Sequence, residues 1–232
     1  MFRRSMGVGV AVRPESGENA SMTPHPELDS EDALDRLLAD AWEGLLAAVP
    51  DGRHEWHVPV LSTIDDLGRP SARVVVLRDV QPESPDGPLL RCHTDRRSRK
   101  VQEMDGVQAQ AAWTFYERDR KVQLRMVGRT VAHIDDDIAD QAWAQSTVSS
   151  RRCYMAPHGP SEMLPGWDPN LPEAWMTSVP DLESSEAGRI NFAVLRTVVE
   201  EMERLELHHD GHIRSRWRWD GGDLVESCWL AP

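Results

Sequence analysis

A cluster of cationic side chains near the middle of the chain is the clearest candidate for chemistry. The segment HTDRRSRKVQEM, residues 93–104, contains four cations within five positions: Arg96, Arg97, Arg99 and Lys100. Guanidinium groups form paired hydrogen bonds with phosphate, and an ammonium adds a point charge. Ser98 precedes a helix-like run whose first backbone amides would also favour an anion. The alternative is a solvated turn, so the residues indicate an anion site without naming the anion.

The composition of the chain limits which class of molecule can carry that anion. The chain has 232 residues, of which 40% are hydrophobic and 28% charged, and its formal net charge is -13. This size and composition are typical of a globular protein with one substantial core. A net charge this negative repels nucleic acid and anionic membrane surfaces. We therefore expect no nucleic-acid or membrane partner, and a small anion held by a local cluster.

The cysteines and histidines do not indicate a metal centre. Cys92, Cys153 and Cys228 are odd in number and widely spaced, so they match neither a disulfide framework nor a zinc motif. The histidines that stand apart from one another, without ligand spacing, include His54, His57, His93 and His158. We predict that no metal is bound, and unpaired cysteines favour the reducing cytoplasm.

Residues 1–25 are predicted to be a disordered leader, and residues 26–232 a single domain. The opening stretch MFRRSMGVGVAV pairs two arginines with a short apolar run, which raises twin-arginine export as an alternative. An export signal needs a longer apolar region and a small-residue cleavage site, whereas this run stops at RPESGENAS. No stretch reaches the roughly twenty apolar residues of a membrane-spanning helix.

The remaining sequence combines amphipathic helices with short strands. DSEDALDRLLADAWEGLLAAV has apolar residues at helical spacing, with Asp29 and Ser30 as possible N-caps. From Trp56 onwards, β-branched stretches alternate with turns, and VQAQAAWTFYE with RKVQLRMVGRTVAHI predicts a hairpin. The end of the chain predicts a further strand or two, with a turn at Gly221 and Gly222.

Two more segments flank these strands. DDDIADQAWAQSTVSSRRCY is predicted to be a second long helix, because acids at its start suit the helix dipole. A Pro- and Gly-rich loop follows at residues 155–188 and contains Trp167 and Trp175. Loops of this length are usually functional or disordered. Together these elements predict an α+β fold in which a closed β-barrel is flanked by helices.

Four motifs, taken in order, resemble the pyridoxamine 5'-phosphate oxidase family. They are RVVVLR at residues 73–78, HTDRRSRK at 93–100, a strand with Gln123 five residues before Gly128, and the terminal WLAP. Each motif is weak alone, but the series is specific and extends over residues 55 to 232. The resemblance implies a split β-barrel that forms a homodimer and binds FMN at the subunit interface.

The same resemblance assigns cofactor roles to residues of this chain. Arg99 and Lys100 would bind the FMN phosphate, so the anion at the cluster would be that of a flavin. Gln123 would reach the polar edge of the isoalloxazine ring, and Arg216 would reach the flavin of the partner subunit. The complete implied set is Arg73, Val74, Val75, Val76, Leu77, Arg78, His93, Thr94, Ser98, Arg99, Lys100, Gln123 and Arg216.

On the substrate side the sequence departs from the family pattern. Arg78 stands where the family has a lysine, and the family's Arg-x-His motif has its residue types exchanged in the stretch HIR. The tryptophan expected upstream of that motif is missing. Arg151 or Arg152 stands near the position of a family substrate arginine. The substrate-side candidates are therefore Arg78, Arg151, His212 and Arg214.

The sequence thus predicts an FMN-dependent oxidoreductase of a divergent branch of this family, acting on an unidentified small molecule. No nucleophile–base pair is visible, so no catalytic side chain is assigned and the flavin would carry the redox chemistry. The positive charges of Arg78 and Arg214 favour an acidic or electron-accepting substrate. The alternatives are a non-enzymatic flavin or haem carrier or sensor on the same barrel, an enzyme that uses a deazaflavin, and a true pyridoxamine 5'-phosphate oxidase.

Overall fold

The computed structural model of the chain describes His25, residues 28–104 and residues 109–232. The predicted leader lies outside this part, apart from His25. The described residues form nine strands in one antiparallel sheet. The strands are β1 (Val60–Ile64), β2 (Pro70–Val74), β3 (Leu77–Gln81), β4 (Leu89–Asp95), β5 (Gln110–Glu117), β6 (Val122–His133), β7 (Phe192–Glu206), β8 (Ile213–Asp220) and β9 (Asp223–Trp229).

The order of the strands makes this sheet a split barrel. The main path runs β2-β1-β5-β6-β7-β4-β3, with β8 paired to the far half of β7 and β9 paired to β8. Its two outer strands, β2 and β3, are joined by only Val75 and Val76. Two residues span roughly 10 Å at most, so the two edges of the sheet lie side by side. The predicted α+β barrel is confirmed.

The same crossing divides the RVVVLR motif between two strands. Its first residues end β2 and its last residues begin β3. Arg73 and Arg78 therefore lie on the two opposite edges of the split. A regular strand could not connect these edges, because its residues would continue along one ladder instead of crossing to the other.

Five helices accompany the sheet in the described part: α1 (Ala33–Ala48), α2 (Arg99–Gln102), α3 (Asp137–Gln145), α4 (Val148–Arg151) and α5 (Leu182–Ser185). The second long helix was predicted wrongly, because it breaks into α3 and α4 at Ser146 and Thr147. The Thr147 hydroxyl accepts a hydrogen bond from the Ser150 backbone amide at 3.2 Å and starts α4 anew. The following loop contains two short 3-10 helices, Arg152–Met155 and Glu173–Trp175, before α5 begins.

The barrel interior is filled by large side chains and closed by α1. Alternation along β5 and β6 directs Trp113, Phe115 and Leu124 inward, where each is buried. The Trp113 indole donates a hydrogen bond to Thr197 Oγ1 at 2.9 Å, which ties β5 to β7 inside the core. This packing provides a rigid platform for the side chains on β3 and β4.

Candidate functional site

The end of β4 and the turn after it hold the cationic cluster in place. Thr94 and Ser98 are both buried, and their hydroxyl oxygens lie 3.2 Å apart. Lys100 Nζ donates hydrogen bonds to Thr94 Oγ1 at 2.8 Å and to Ser98 Oγ at 3.3 Å. Burial lowers the pKa of Lys100. Within the described residues no carboxylate lies within ion-pair distance of this ammonium, so its charge is available to an external anion.

The other three cations of the cluster have separate roles. Arg97 is paired with Asp95 at 2.6 Å and also donates to the Ala156 carbonyl at 3.0 Å, so it anchors the long loop. Arg96 is paired with Asp135 at 3.3 Å. The Arg99 side chain is exposed and has no partner among the residues described; it lines an open cleft of ≈ 490 Å³ between α2 and the loop. Lys100 and Arg99 are therefore the two cations left for a ligand.

The expected contribution of a helix N-terminus is small. α2 has only four residues, and the Ser98 side chain makes no capping bond, since its hydroxyl faces Thr94 and Lys100 instead. A helix this short has little macrodipole. The attraction for an anion therefore comes from the side chains of the cluster.

Arg73 does not point at this cluster as a free cation. Its guanidinium donates to Thr63 Oγ1 at 2.6 Å and to Ser71 Oγ at 2.7 Å, and it forms an ion pair with Glu103 at 3.1 Å. Glu103 is largely buried and also accepts from Thr63 Oγ1 at 2.5 Å. Sequence reasoning missed Glu103, because an acid in the turn after the cluster has no signature of its own.

The valines and the leucine between the two arginines divide between core and surface. Val75 and Leu77 are buried in the barrel core, and the Val75 amide is already bound to the Pro59 carbonyl at 3.0 Å. Their side chains therefore face the core, so a contact of either residue with the cofactor would have to come from its backbone, and that contact stays a prediction. Val74 is 63% exposed on the outer face, and Val76 is half-buried. The side chains of this motif that are at least partly exposed are those of Arg73, Val74, Val76 and Arg78.

A second cleft brings two predicted residues together. It has a volume of ≈ 570 Å³, and we call it the polar cleft. Arg78 and His93 lie on one wall, and the break between α3 and α4 supplies hydroxyls to the other. Arg78 is exposed and has no ion-pair partner within the described part of the chain. The full lining is Arg78, Asp79, Gln81, Arg91, His93, Ile138, Gln141, Ala142, Gln145, Ser146, Thr147 and Ser150.

His93 is held as a neutral imidazole in this cleft. Burial lowers the pKa of His93 to about 4, and the nearby charges of Arg78 and Arg91 act in the same direction. Its ring lies edge-on to Phe192, with the ring centroids 4.9 Å apart. At neutral pH His93 can therefore donate or accept a hydrogen bond without adding charge, while Arg78 supplies the cleft's unpaired positive charge.

Arg151, predicted to bind substrate, has a structural role instead. Its side chain is buried, lies 4.7 Å from the centre of the Trp143 ring and donates to the Trp143 carbonyl at 2.8 Å. An ion pair with Glu186 at 2.5 Å ties α4 to the segment after α5. The neighbouring Ser150 lines the polar cleft, whereas Arg151 does not.

The remaining predicted residues lie in the other half of the sheet. Gln123 is on β6, and Arg214 and Arg216 are on β8, away from both clefts and from Lys100. Arg214 is paired with Glu203 at 2.6 Å and Arg216 with Glu226 at 2.5 Å. His212 accepts from the His208 backbone amide at 3.2 Å. Within one chain, none of these four meets the cationic cluster.

Metal-binding clusters and membrane-spanning helices are both absent from the described part of the chain. No described group of three or more histidine, cysteine, aspartate or glutamate residues is arranged to hold a metal ion. None of the helices described is both long enough and apolar enough to cross a membrane.

Comparison with known proteins defines the class. Residues 39–134 match the family described as pyridoxamine 5'-phosphate oxidase, FMN-binding domain. The chain is 29% identical over 153 residues to the pyridoxine/pyridoxamine 5'-phosphate oxidase of Roseobacter denitrificans, covering 60% of this chain and 72% of the relative.

Two solved structures share the fold. One is a pyridoxamine 5'-phosphate oxidase-related, FMN-binding protein from Nostoc punctiforme, with a TM-score of 0.63 and 21% identity over 83% of this chain and 96% of that one. The other is PhzG from Burkholderia lata, solved with tetrahydrophenazine-1-carboxylic acid, with a TM-score of 0.58 and 21% identity over 93% of this chain and all of the other.

The molecule is therefore a split barrel, and its residues 39–134 are similar to the FMN-binding domain of the pyridoxamine 5'-phosphate oxidase family. The residues present fit this cofactor. Lys100 is a half-buried ammonium bound only to hydroxyl groups, and Arg99 beside it is unpaired within the described residues, as a phosphate site requires.

Proposed function

We propose that this protein is an FMN-dependent oxidoreductase acting on a small anionic molecule. The observation that carries the proposal is the state of Lys100: a partly desolvated cation that faces two hydroxyls and no carboxylate of the described chain, inside an FMN-binding domain. Lys100 and Arg99 would hold the FMN phosphate. The hydroxyls of Thr94 and Ser98 orient the ammonium toward it.

The polar cleft is the proposed place for the substrate. When bound, the flavin supplies the redox chemistry, and the chain supplies binding and orientation. Arg78 offers a fixed, unpaired positive charge to an acidic group of the substrate. Neutral His93 and the hydroxyls of Ser146 and Thr147 offer hydrogen bonds to the substrate. These groups carry no negative charge, so they leave Arg78 free to bind the acidic group of the substrate. An anionic, polar substrate fits this lining better than an apolar one.

We further propose that the active form is a homodimer with shared flavin sites, in the cytoplasm. Arg216 supports the dimer, because it lies too far from Lys100 to serve the same flavin from within one chain. The free thiols of Cys92, Cys153 and Cys228 support a reducing compartment.

The first experiment is the visible absorption spectrum of the purified protein, with mass identification of the released cofactor. FMN is expected; haem or a deazaflavin would contradict the proposal. Turnover is then measured with flavin-loaded protein on pyridoxine and pyridoxamine 5'-phosphates, the substrates in the relative's name, and on tetrahydrophenazine-1-carboxylic acid. We expect a kcat/KM for the pyridoxine phosphates below about 10⁴ M⁻¹ s⁻¹.

A higher value would identify a true pyridoxamine 5'-phosphate oxidase, with Arg78 serving in place of the lysine. FMN bound at one equivalent per chain, without reduction or reoxidation by any compound of a broad anionic panel, would favour the carrier alternative.

A further inference from the structure

The titratable side chains that line the polar cleft are Arg78, Asp79, Arg91 and His93. Arg91 is paired with Asp79 at 3.2 Å, and the same carboxylate oxygen accepts a hydrogen bond from Gln81 Nε2 at 2.8 Å. His93 is neutral, because burial lowers its pKa to about 4. Arg78 therefore carries the one uncompensated charge of this lining within the described part of the chain.

The hydroxyl groups between α3 and α4 do not make up for the single charge. Ser146 Oγ donates its proton to a backbone carbonyl of α3 at 2.8 Å, and Thr147 Oγ1 donates to Ser150 Oγ at 3.0 Å. The oxygens of Ser146 and Thr147 keep lone pairs that can accept from a ligand, but their protons are not available to an anion. The Arg78 guanidinium is thus the one charged donor left for an anion in the described lining.

The proposed FMN phosphate site differs from this cleft in its charge. There, Lys100 and Arg99 both lack a carboxylate partner in the described chain, so two cations are available to one phosphate. A phosphate monoester carries nearly two negative charges at pH 7 and has three acceptor oxygens. The cost of desolvating an ion rises with the square of its charge, whereas its attraction to one cation rises only in proportion to the charge. One unpaired arginine therefore suits a monoanion, and its planar fork matches the two oxygens of a carboxylate.

A second subunit would not supply the missing charge. The family pattern assigns Arg214 to the substrate and Arg216 to the cofactor of a partner subunit. Arg214 is paired with Glu203 at 2.6 Å, and Arg216 is paired with Glu226 at 2.5 Å. Each of these ion pairs would bring no net charge to the cleft.

We propose that the polar cleft binds its substrate through a carboxylate and selects against phosphate esters, and that Asp79 determines this specificity. Asp79 neutralises Arg91, the other cation of the described lining, and its own charge repels a second negative charge on the ligand. The proposal rests on the polar cleft being the substrate site, and it names the substrate class as carboxylic acids. The acceptor oxygens of Ser146 and Thr147 suit hydroxyl or amino groups elsewhere on that acid.

The test compares benzoate with phenyl phosphate, two probes that share a phenyl ring and differ in their acidic group. Calorimetric titration uses the FMN-loaded protein, in which the flavin occupies the phosphate cations, so the probes report on the cleft. At pH 7.5 benzoate should bind about tenfold more tightly, the effect of one uncompensated unit charge at roughly 10 Å with an effective dielectric constant near 20.

The pH of the titration changes the charge of the phosphate probe without any substitution. Phenyl phosphate becomes mostly a monoanion at pH 5.0, because its second pKa is about 6, and the difference between the probes should shrink. Benzoate stays ionised at pH 5.0, as carboxylates of ordinary pKa do. His93 stays mostly neutral at both pH values, so the charge of the cleft is nearly constant.

Asp79→Asn tests the specificity by adding positive charge to the cleft, since it releases Arg91 from its ion pair. The affinity for phenyl phosphate relative to benzoate should rise about tenfold, again the effect of one unit charge at roughly 10 Å. Asp66→Asn, in the exposed turn between β1 and β2, makes the same change in net charge outside the cleft. It should leave the relative affinity as in wild type. The thermal midpoint of each variant shows that it is folded.

The possible results separate this proposal from the one on which it rests. If phenyl phosphate binds to the wild type as tightly as benzoate at pH 7.5, the carboxylate preference is refuted. An Asp79→Asn variant with the wild-type relative affinity refutes the role of Asp79. In both cases the cleft remains the substrate site if Arg78→Ala weakens the binding of the two probes. If Arg78→Ala changes neither affinity, the polar cleft is not the substrate site, and both proposals about it fail.

Discussion

Thr94 and Arg216 lie against the same edge of β7, far apart along it. Thr94 is opposite Ala193, and Arg216 is opposite Glu203. At about 3.3 Å per residue, the ten residues from 193 to 203 separate them by about 33 Å along the strand. Lys100 Nζ is within 2.8 Å of Thr94. Within one chain Arg216 therefore lies far from the Lys100 cluster, which supports the proposed flavin site shared between two subunits.

This separation predicts a dimer that can be tested by complementation. Lys100→Ala and Arg216→Ala should each weaken FMN binding in the pure variants. If each site combines Lys100 of one subunit with Arg216 of the other, a mixed dimer contains one intact site and one doubly defective site. Refolding the two variants together should therefore restore up to one tight FMN site per mixed dimer, as measured by fluorescence titration. Sedimentation showing a monomer with full flavin occupancy would refute the shared site.

The phosphate cations can be tested in the same titration. Arg99→Ala and Lys100→Ala together should weaken FMN binding by a few kcal/mol, at roughly 1.5–3 kcal/mol for each hydrogen bond to a charged group. Riboflavin binding should change little, because it lacks the phosphate. Arg96→Ala is the matched control, since Arg96 belongs to the same run but is paired with Asp135. Equal losses for FMN and riboflavin would argue against the assignment.

Some of this arrangement was predictable from the sequence, and the reasons differ between elements. The hairpin of β5 and β6 follows from alternation of apolar residues, a local property, and its bounds lie within the predicted segments. Lys100 and Arg99 were identified because their types and spacing suit phosphate. Both depend on residues that are near each other in the chain.

What the sequence did not show depends on contacts between distant residues. RVVVLR is apolar along its central positions, as one buried strand would be, and only the closing of the barrel requires the chain to cross the split at Val75 and Val76. The ion pair of Arg73 could not be predicted, because its partner Glu103 lies thirty residues away. Arg151 was assigned to substrate because local sequence does not show that Glu186 and Trp143 enclose it.

Gly128 marks a position where the fold requires the absence of a side chain. It sits at the register shift between Val127 and Gly128 in the pairing of β6 with β7. A Cβ at this position would lie 1.9 Å from the Val198 carbonyl oxygen. Gly128→Ala should lower the free energy of unfolding by at least about 2 kcal/mol in urea titrations. Gly166→Ala, where a Cβ meets nothing within 4 Å, should be nearly neutral.

His93 should make stability depend on pH in the acidic range. Burial lowers its folded-state pKa from 6.5 to about 4. Between these values the unfolded chain binds a proton that the folded chain does not, so the free energy of unfolding falls as pH falls. The loss is at most about 3.5 kcal/mol, at about 1.4 kcal/mol per pKa unit. In His93→Gln the difference in unfolding free energy between pH 7 and pH 4.5 should shrink, whereas in exposed His209→Gln it should stay as in wild type.

Replacing Arg78 tests whether the polar cleft binds the substrate. Its guanidinium is exposed there, unpaired within the described chain, while the nearby Arg91 is held by Asp79 at 3.2 Å. Arg78→Ala should therefore raise KM for an anionic substrate about tenfold or more, as loss of a charged hydrogen bond of 1.5–3 kcal/mol implies. The bound flavin's absorption spectrum should not change. Arg53→Ala removes an exposed arginine outside the cleft and should leave KM as it is. A fall in kcat at constant KM would instead place Arg78 at the reacting part of the substrate, and a loss of flavin would assign it to the cofactor.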